Sequence, residues 1–144
     1  ADSSWDDMVE GTRLGWVFEL RQLKHYLERH DGKNRRSAFI RRRIAAPRPE
    51  AWQRLTRGMD FETGITEIFD RSPPGQLAGI TDNPPEGMIR FSVDPTHTDP
   101  SRRDVTVWVC AWGDVENAVE DVANRWRAEL DRIFPEGEPI EAEA

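Results

Sequence analysis

Three side chains in one loop come closest to a catalytic or metal-binding set: Asp94, His97 and Asp99. An imidazole changes its charge near neutral pH and also ligates metals, and neighbouring carboxylates can orient it. However, a metal site needs three or four ligands in a defined geometry, and the string Asp-Pro-Thr-His-Thr-Asp-Pro is equally typical of a hydrated turn. We therefore keep an enzyme or metal site centred on His97 as a third hypothesis, and we predict no metal and no cofactor.

The single cysteine, Cys110, alternates with Trp108 and Trp112. One cysteine excludes an internal disulfide and a cysteine-rich zinc site. A nucleophilic thiol needs a base and an accessible, electropositive setting, whereas this pattern predicts apolar burial, where a thiol is inert. The sequence also contains no Gly-rich phosphate loop, nucleophile elbow or HExxH motif. These observations favour a non-catalytic protein.

Five arginines lie close together in a chain whose formal net charge is −7. They are Arg35, Arg36, Arg41, Arg42 and Arg43. Residues 33–57 carry nine basic residues and one acidic residue, and arginine can bind phosphate in a bidentate manner. A protein partner, including a second copy, is the first interpretation, because the acidic remainder of the chain would repel a polyanion. A hydrated surface enriched in arginine by the codon bias of a GC-rich bacterial genome is the second, and nucleic acid is the third.

The six tryptophans are many for 144 residues. Trp16, Trp52 and Trp126 fall on apolar faces of predicted helices, so we expect them in the core. Trp108 and Trp112 share one face of a predicted strand. If nothing within the monomer covers that face, they mark a binding surface, because exposed aromatic patches usually do.

The elements that must position these residues begin with a long helix over about 5–30. Its apolar residues recur at helical spacing, and we expect them to face the core. They are Val9, Trp16, Leu20, Leu23 and Leu27. A strongly amphipathic helix over 115–133 ends the folded part, before Pro135.

The middle of the chain fits more than one assignment of elements. Residues 35–46 are compatible with a helix or a strand, and a short helix is preferred because Ile40 and Ile44 then stack at i, i+4. A further helix follows Pro49, with a second helical phase over 61–69. The polar, proline-rich stretch over 72–87 is not expected to form a regular element.

Two strands follow. In 88–93 one face carries Ile89, Phe91 and Val93 and the other carries Met88, Arg90 and Ser92. The stretch 105–112 is apolar on both faces. A strand that is apolar on both faces is typically covered on both. We therefore predict an antiparallel pair with the C-terminal helix packed on it.

These patterns predict one α+β domain over 1–135 and an acidic, disordered tail over 136–144. No run of about 18 apolar residues occurs, so we expect no membrane contact and a cytoplasmic bacterial protein. The first functional hypothesis is a non-catalytic adaptor, accessory or inhibitor-like domain that binds a protein partner or itself through the arginines, Trp108 and Trp112. The alternatives are a nucleic-acid-binding regulator acting through the arginines, and an enzyme centred on His97.

Overall fold

The computed structural model describes residues 3–58, 64–72, 75–96, 99 and 101–140. These residues form three helices and one six-stranded antiparallel sheet. The helices are α1 (Ser3–Arg29), α2 (Arg48–Gly58) and α3 (Glu116–Ile133). The strands are β1 (Arg35–Ile44), β2 (Ile65–Ser72), β3 (Gln76–Thr81), β4 (Gly87–Pro95), β5 (Arg103–Trp112) and β6 (Glu138–Ile140). Their order in the sheet is β2-β3-β4-β5-β1-β6. The α+β class, the long N-terminal helix and the C-terminal helix packed on the sheet are confirmed.

Strand β5 has two apolar faces because helices cover both sides of the sheet. Its odd-numbered residues from Val105 to Ala111 pack in the cluster formed with α2 and α3, whereas Trp108, Cys110 and Trp112 pack with Phe18 of α1. Successive side chains of a strand point to opposite faces, so each helix layer receives every second residue. We call the α2/α3 side the inner face and the α1 side the outer face.

The larger core lies on the inner face. One stripe of α3 is buried there, including Val119, Val122 and Leu130. The ring of Trp126 meets that of Phe91 edge-on, with 5.0 Å between the centroids. Burying a large apolar side chain contributes roughly 1.5–3 kcal/mol, so this stripe holds α3 on the sheet. The core positions predicted for Trp126 and, on α2, for Trp52 are confirmed.

The short helix preferred for 35–46 is wrong, because Arg35–Ile44 forms strand β1, paired with β5. Ile40 and Ile44 are buried on the inner face, as two-residue periodicity requires. Arg42 lies between them and interrupts the apolar pattern, which is why the strand was hard to recognise. The burial of Arg42 is tolerated because its guanidinium has partners at the end of α3.

Two further predictions, both for the chain between α2 and β4, are wrong. Residues 65–69 belong to strand β2 instead of a helix, and β3 runs through the polar stretch over 72–87. Strand β3 lies between β2 and β4, so its backbone is hydrogen-bonded on both edges. Its polar side chains are satisfied too: Gln76 Nε2 donates to the Leu14 carbonyl at 3.2 Å, and Thr81 Oγ1 to the Gly64 carbonyl at 2.9 Å.

The acidic tail is partly ordered. Glu138–Ile140 forms β6 and pairs with β1, where Arg42 lies opposite Pro139. The expected disorder therefore does not apply to these three residues, and 141–144 lie outside the described residues. Within the described part of the chain, no helix has the length and apolar character that a membrane span requires.

Candidate functional site

The five arginines of β1 are divided between the two faces of the sheet. Arg35, Arg41 and Arg43 share the outer face, because they lie opposite Trp112, Thr106 and Asp104 of β5. Arg36 and Arg42 belong to the inner face. Strand alternation therefore separates a cluster that looks continuous in the sequence.

Arg42 is a structural residue of the inner face. It is 7% exposed, and its Nε and Nη1 donate at 2.5 Å to the carbonyl of Phe134 and to the carboxylate of Asp131. The last carbonyls of a helix have no partner within the helix and carry partial negative charge. Arg42 therefore satisfies the C-terminal end of α3.

The outer-face arginines also have partners within the protein. Arg43 binds both carboxylate oxygens of Asp104, at 2.8 and 3.1 Å, and this hydrogen bonding raises the pKa of Arg43. Arg35 donates to Gln22 at 2.9 Å, and Arg41 lies 5.7 Å from the centre of the Phe39 ring. The five side chains do not form one open cationic surface.

The predicted acidic loop is only partly described. His97 lies outside the described residues. Asp94 accepts a hydrogen bond from Ser92 at 2.8 Å, and Asp99 accepts one from the Ser101 hydroxyl at 2.6 Å. Among the residues that the structure describes, no group of three or more His, Cys, Asp or Glu side chains is placed to hold a metal ion. The chemistry of a site at His97 thus stays a prediction.

Cys110 is an inert core residue. It is fully buried, and burial raises the pKa of its thiol to about 12. Its Sγ lies 3.5 Å from Gln22 Oε1. A protonated thiol that solvent cannot reach is a poor nucleophile.

Trp108 and Trp112 are covered within the monomer, so they are not an open surface. They are 7% and 6% exposed. The Phe18 ring of α1 meets Trp108 edge-on at 4.9 Å, and the His30 ring stacks on Trp112 at 4.7 Å. Helix α1 and the turn after it therefore occupy the face on which an aromatic binding surface was predicted.

The exposed apolar surface lies instead on the other side of α1. Five large side chains there are 54–62% exposed, and we call them the α1 stripe: Val9, Trp16, Leu20, Leu23 and Leu27. The sequence identified these residues as one helical face but assigned that face to the core, which is wrong. The expected core position of Trp16 is wrong with it.

The face of α1 that does reach the sheet is more polar. It carries Leu14, Phe18, Gln22 and His25, all buried. His25 Nε2 lies 3.0 Å from the Glu86 carbonyl, within hydrogen-bonding distance. Only the complete structure supplies partners for Gln22 and His25, so periodicity alone favoured the wrong face.

A buried polar network also fixes α1 on the outer face. Gln76 of β3 donates to the Leu14 carbonyl of α1 and, at 2.5 Å, to Asp70 of β2, and it accepts from Arg90 of β4. Burial lowers the pKa of Arg90, and the nearby Asp94 opposes that shift. Buried polar groups hold their geometry when their partners are in place. The α1 stripe is therefore presented on a fixed support.

A groove of about 510 Å³ runs beside the stripe. Its apolar wall consists of Trp16, Leu20, Leu23, Tyr26 and Trp112, and its polar lining includes Glu19, Gln22, Lys33 and Arg35. The Nε2 of Gln22 is buried and has no hydrogen-bond partner among the described residues. Stripe and groove form a continuous, mainly apolar surface with a cationic end.

Comparisons with known proteins bear on the fold. No protein-family model matches the sequence, and no curated protein matches it. CalU16 from Micromonospora echinospora is similar in structure, with a TM-score of 0.50 and 14% identity over 72% of this chain and 82% of that chain. DR_A0006 from Deinococcus radiodurans gives a TM-score of 0.43 and 10% identity, covering 67% of this chain and 98% of its own. At such identities the similarity to CalU16 supports the α+β fold alone.

Proposed function

We propose that this protein is a non-catalytic interaction domain that binds a protein partner through the α1 stripe. The observation that carries the proposal is the exposure of five large apolar side chains along one line of a helix whose opposite face is buried. Soluble monomers rarely expose contiguous apolar patches of this kind, and such patches commonly mark binding surfaces.

The chemistry of the stripe suits a protein partner. Trp16 and the three leucines supply apolar area at the centre of the surface, and tryptophan is enriched among the residues that dominate binding energy. Glu10 and Lys24 supply charged side chains at its margin, and they are 43% and 60% exposed. An apolar centre with a polar rim is the usual anatomy of an interface.

The support beneath the stripe favours binding as well. The Phe18 contacts and the Gln76 network hold α1 on the sheet before any partner arrives. A surface that is already ordered loses less conformational entropy on association. We propose the bacterial cytoplasm as the setting, because the sequence carries no run of apolar residues long enough for a membrane.

The other two hypotheses have less support. Arg42 and Arg43 bind Asp131 and Asp104, which leaves fewer cations for a phosphate backbone than the sequence suggested. The enzyme hypothesis rests on His97, which lies outside the described residues. Neither has an observation equal to the exposed stripe.

The test is recovery of partners by affinity purification with wild type and a Leu20→Glu/Leu23→Glu double variant. Asn124→Glu/Ala128→Glu is the matched control, because it adds two acids at exposed positions of α3. A partner that is identified by mass spectrometry, lost only with the stripe variant and bound again in purified form would support the proposal. Equal recovery with both variants would contradict it.

A further inference from the structure

We infer that the partner of the α1 stripe is the α1 stripe of a second copy of this chain, in antiparallel orientation. This inference rests on the function proposed above and names its partner. It follows from the spacing of the stripe and from the charges on either side of it.

The stripe has the spacing of a coiled-coil seam. With Arg13 included, its positions are 9, 13, 16, 20, 23 and 27, which are separated alternately by four and three residues. This is the spacing of the a and d positions that join two helices. The seam lies diametrically opposite the residues that face the sheet, such as Phe18, so it is exposed on the side of α1 away from the sheet.

A two-fold axis at the level of Phe18 brings the two seams into register. Trp16 of one copy then lies opposite Leu20 of the other, and Val9 lies opposite Leu27. The same operation pairs Arg13 with Leu23. An isologous contact of this kind uses one patch twice and closes at a dimer.

The charges on one margin of the seam complement each other in this register. Glu10 and Lys24 both follow a seam residue on the same side of α1, and the antiparallel arrangement places Glu10 of each copy beside Lys24 of the other. Within one chain they bind Arg13 at 2.7 Å and Glu28 at 3.7 Å, and all four side chains are at least 43% exposed. Pairs this exposed can exchange partners at little cost.

The parallel arrangement is disfavoured by Arg13. It would place the two Arg13 guanidinium groups against each other in the seam, where like charges repel. In the antiparallel arrangement they lie about 15 Å apart along the axis, at 1.5 Å per residue. Two unfavourable contacts remain. Arg13 lies near Lys24 of the other copy, with Glu10 of its own chain between the charges as a shared partner. The two Glu19 side chains meet beside the groove lined by Lys33 and Arg35.

The first experiment measures dimer dissociation by sedimentation equilibrium at low salt. Glu10→Lys alone should raise the Kd about three- to tenfold, because two attractive pairs become repulsive. The double swap, Glu10→Lys/Lys24→Glu, should lower the Kd again to the wild-type value or below it. Glu120→Lys, on the exposed side of α3, is the charge control and should leave the Kd unchanged.

The second experiment measures orientation. A spin label at position 28 should lie about 30 Å from its counterpart along the helix axis, since each label is ten residues from the two-fold axis. In a parallel pair the same labels would be separated by little more than the interhelical distance of about 8–10 Å. The short distance would overturn the antiparallel arrangement.

The outcomes separate this inference from the function on which it rests. A chain that stays monomeric at about 200 µM, far above a micromolar Kd, overturns the second copy as partner. A stripe-dependent partner in the affinity purification would still support the interaction function. A dimer that persists unchanged in the Leu20→Glu/Leu23→Glu variant would place self-association elsewhere and also overturn the inference.

Discussion

Arg42 shows why a charged residue can be required on the buried face of a strand. Its guanidinium donates to Phe134 and Asp131 at the end of α3, while its neighbours Ile40 and Ile44 pack in the core. One side chain thereby connects β1 to the C-terminal helix. It belongs to the architecture, although the sequence presents it as part of a cationic surface.

We expect Arg42→Ala to lower the free energy of unfolding by about 2–4 kcal/mol, because hydrogen bonds to charged groups contribute about 1.5–3 kcal/mol each and a buried carbonyl loses its donor. Urea denaturation followed by circular dichroism measures the change. Arg36→Ala is the control, since Arg36 lies on the same face of β1 but is exposed, and it should change stability by less than about 0.5 kcal/mol. Equal losses for both variants would contradict the role assigned to Arg42.

His30 gives the stability a dependence on pH. It is 2% exposed, and burial lowers the pKa of His30, with His25 and Lys33 adding to the shift and Glu86 opposing it. A histidine whose pKa is lower in the folded state binds its proton more readily when unfolded. Folding is therefore penalised at acidic pH.

We expect stability to fall as the pH drops below about 6.5, the ordinary pKa of histidine, by at most about 1.4 kcal/mol per pH unit for this group. His30→Phe keeps a ring against Trp112 and should remove this part of the loss. Urea midpoints at pH 7.5 and 5.5 for both proteins provide the measurement. An identical acid-side loss in the variant would show that other groups are responsible.

At the scale of elements, α1 has two faces that differ in their proportion of apolar residues. The exposed one is almost wholly apolar, whereas the buried one includes Gln22 and His25 beside Leu14 and Phe18. An argument from hydrophobic periodicity assigns the more apolar face to the core, and on α1 that is the exposed face. The sheet can accept the mixed face because Arg35 and the Glu86 carbonyl are within hydrogen-bonding distance of its polar groups.

The orientation of α1 can be tested with two truncations. Phe18→Ala should lower stability by about 3–5 kcal/mol, because it leaves a cavity against Trp108 and Phe69. Leu20→Ala should change the stability of the monomer by less than about 0.5 kcal/mol, since Leu20 is 60% exposed. Denaturant unfolding at low micromolar protein compares them. A larger loss for Leu20→Ala would mean that α1 is turned the other way.

How far the sequence predicted each element depended on how well side-chain type and burial agreed. Helix α3 and strand β5 were recognised because most of their buried residues are apolar. Strand β4 was recognised because Ile89, Phe91 and Val93 share one face, although Arg90 and Ser92 on the other face are buried too. Strands β1 and β3 were missed because Arg42, Gln76 and Thr81 are buried through hydrogen bonds that only the assembled sheet provides. Residue types along the sequence do not reveal these hydrogen-bond partners.

At the scale of the whole molecule, both faces of the sheet carry apolar side chains that must be covered. Helices α2 and α3 cover the inner face, and α1 covers Trp108, Cys110 and Trp112 on the outer face. The sequence indicated this need through the apolar character of both faces of β5. It assigned the C-terminal helix to the sheet but did not indicate which helix would cover the second face.

Deletion of residues 1–32 should uncover the outer face, and we expect the truncated protein to bind the dye ANS strongly and to self-associate. Light scattering and ANS fluorescence measure this against the intact chain. The Leu20→Glu/Leu23→Glu variant, which alters α1 without uncovering the sheet, is the control. If the truncated protein stays monodisperse and does not increase ANS fluorescence, α1 is not needed to cover the outer face.

The candidate site was harder to predict than the fold. The residues of the stripe were recognised as a set, but their exposure depends on the position of α1 in three dimensions. Trp108 and Trp112 were proposed for a surface that α1 occupies. The sequence therefore placed the expected aromatic surface on β5, whereas the exposed apolar residues lie on α1.

The stack of His30 on Trp112 has a consequence for any complex formed by α1. Trp112 also lines the groove beside the stripe, and His30 follows the last residue of α1. Burial favours the uncharged form of His30 only while α1 lies on the sheet, so proton uptake opposes the docking of α1. A complex that requires docked α1 therefore weakens in acid only to the extent that acid releases this helix from the sheet.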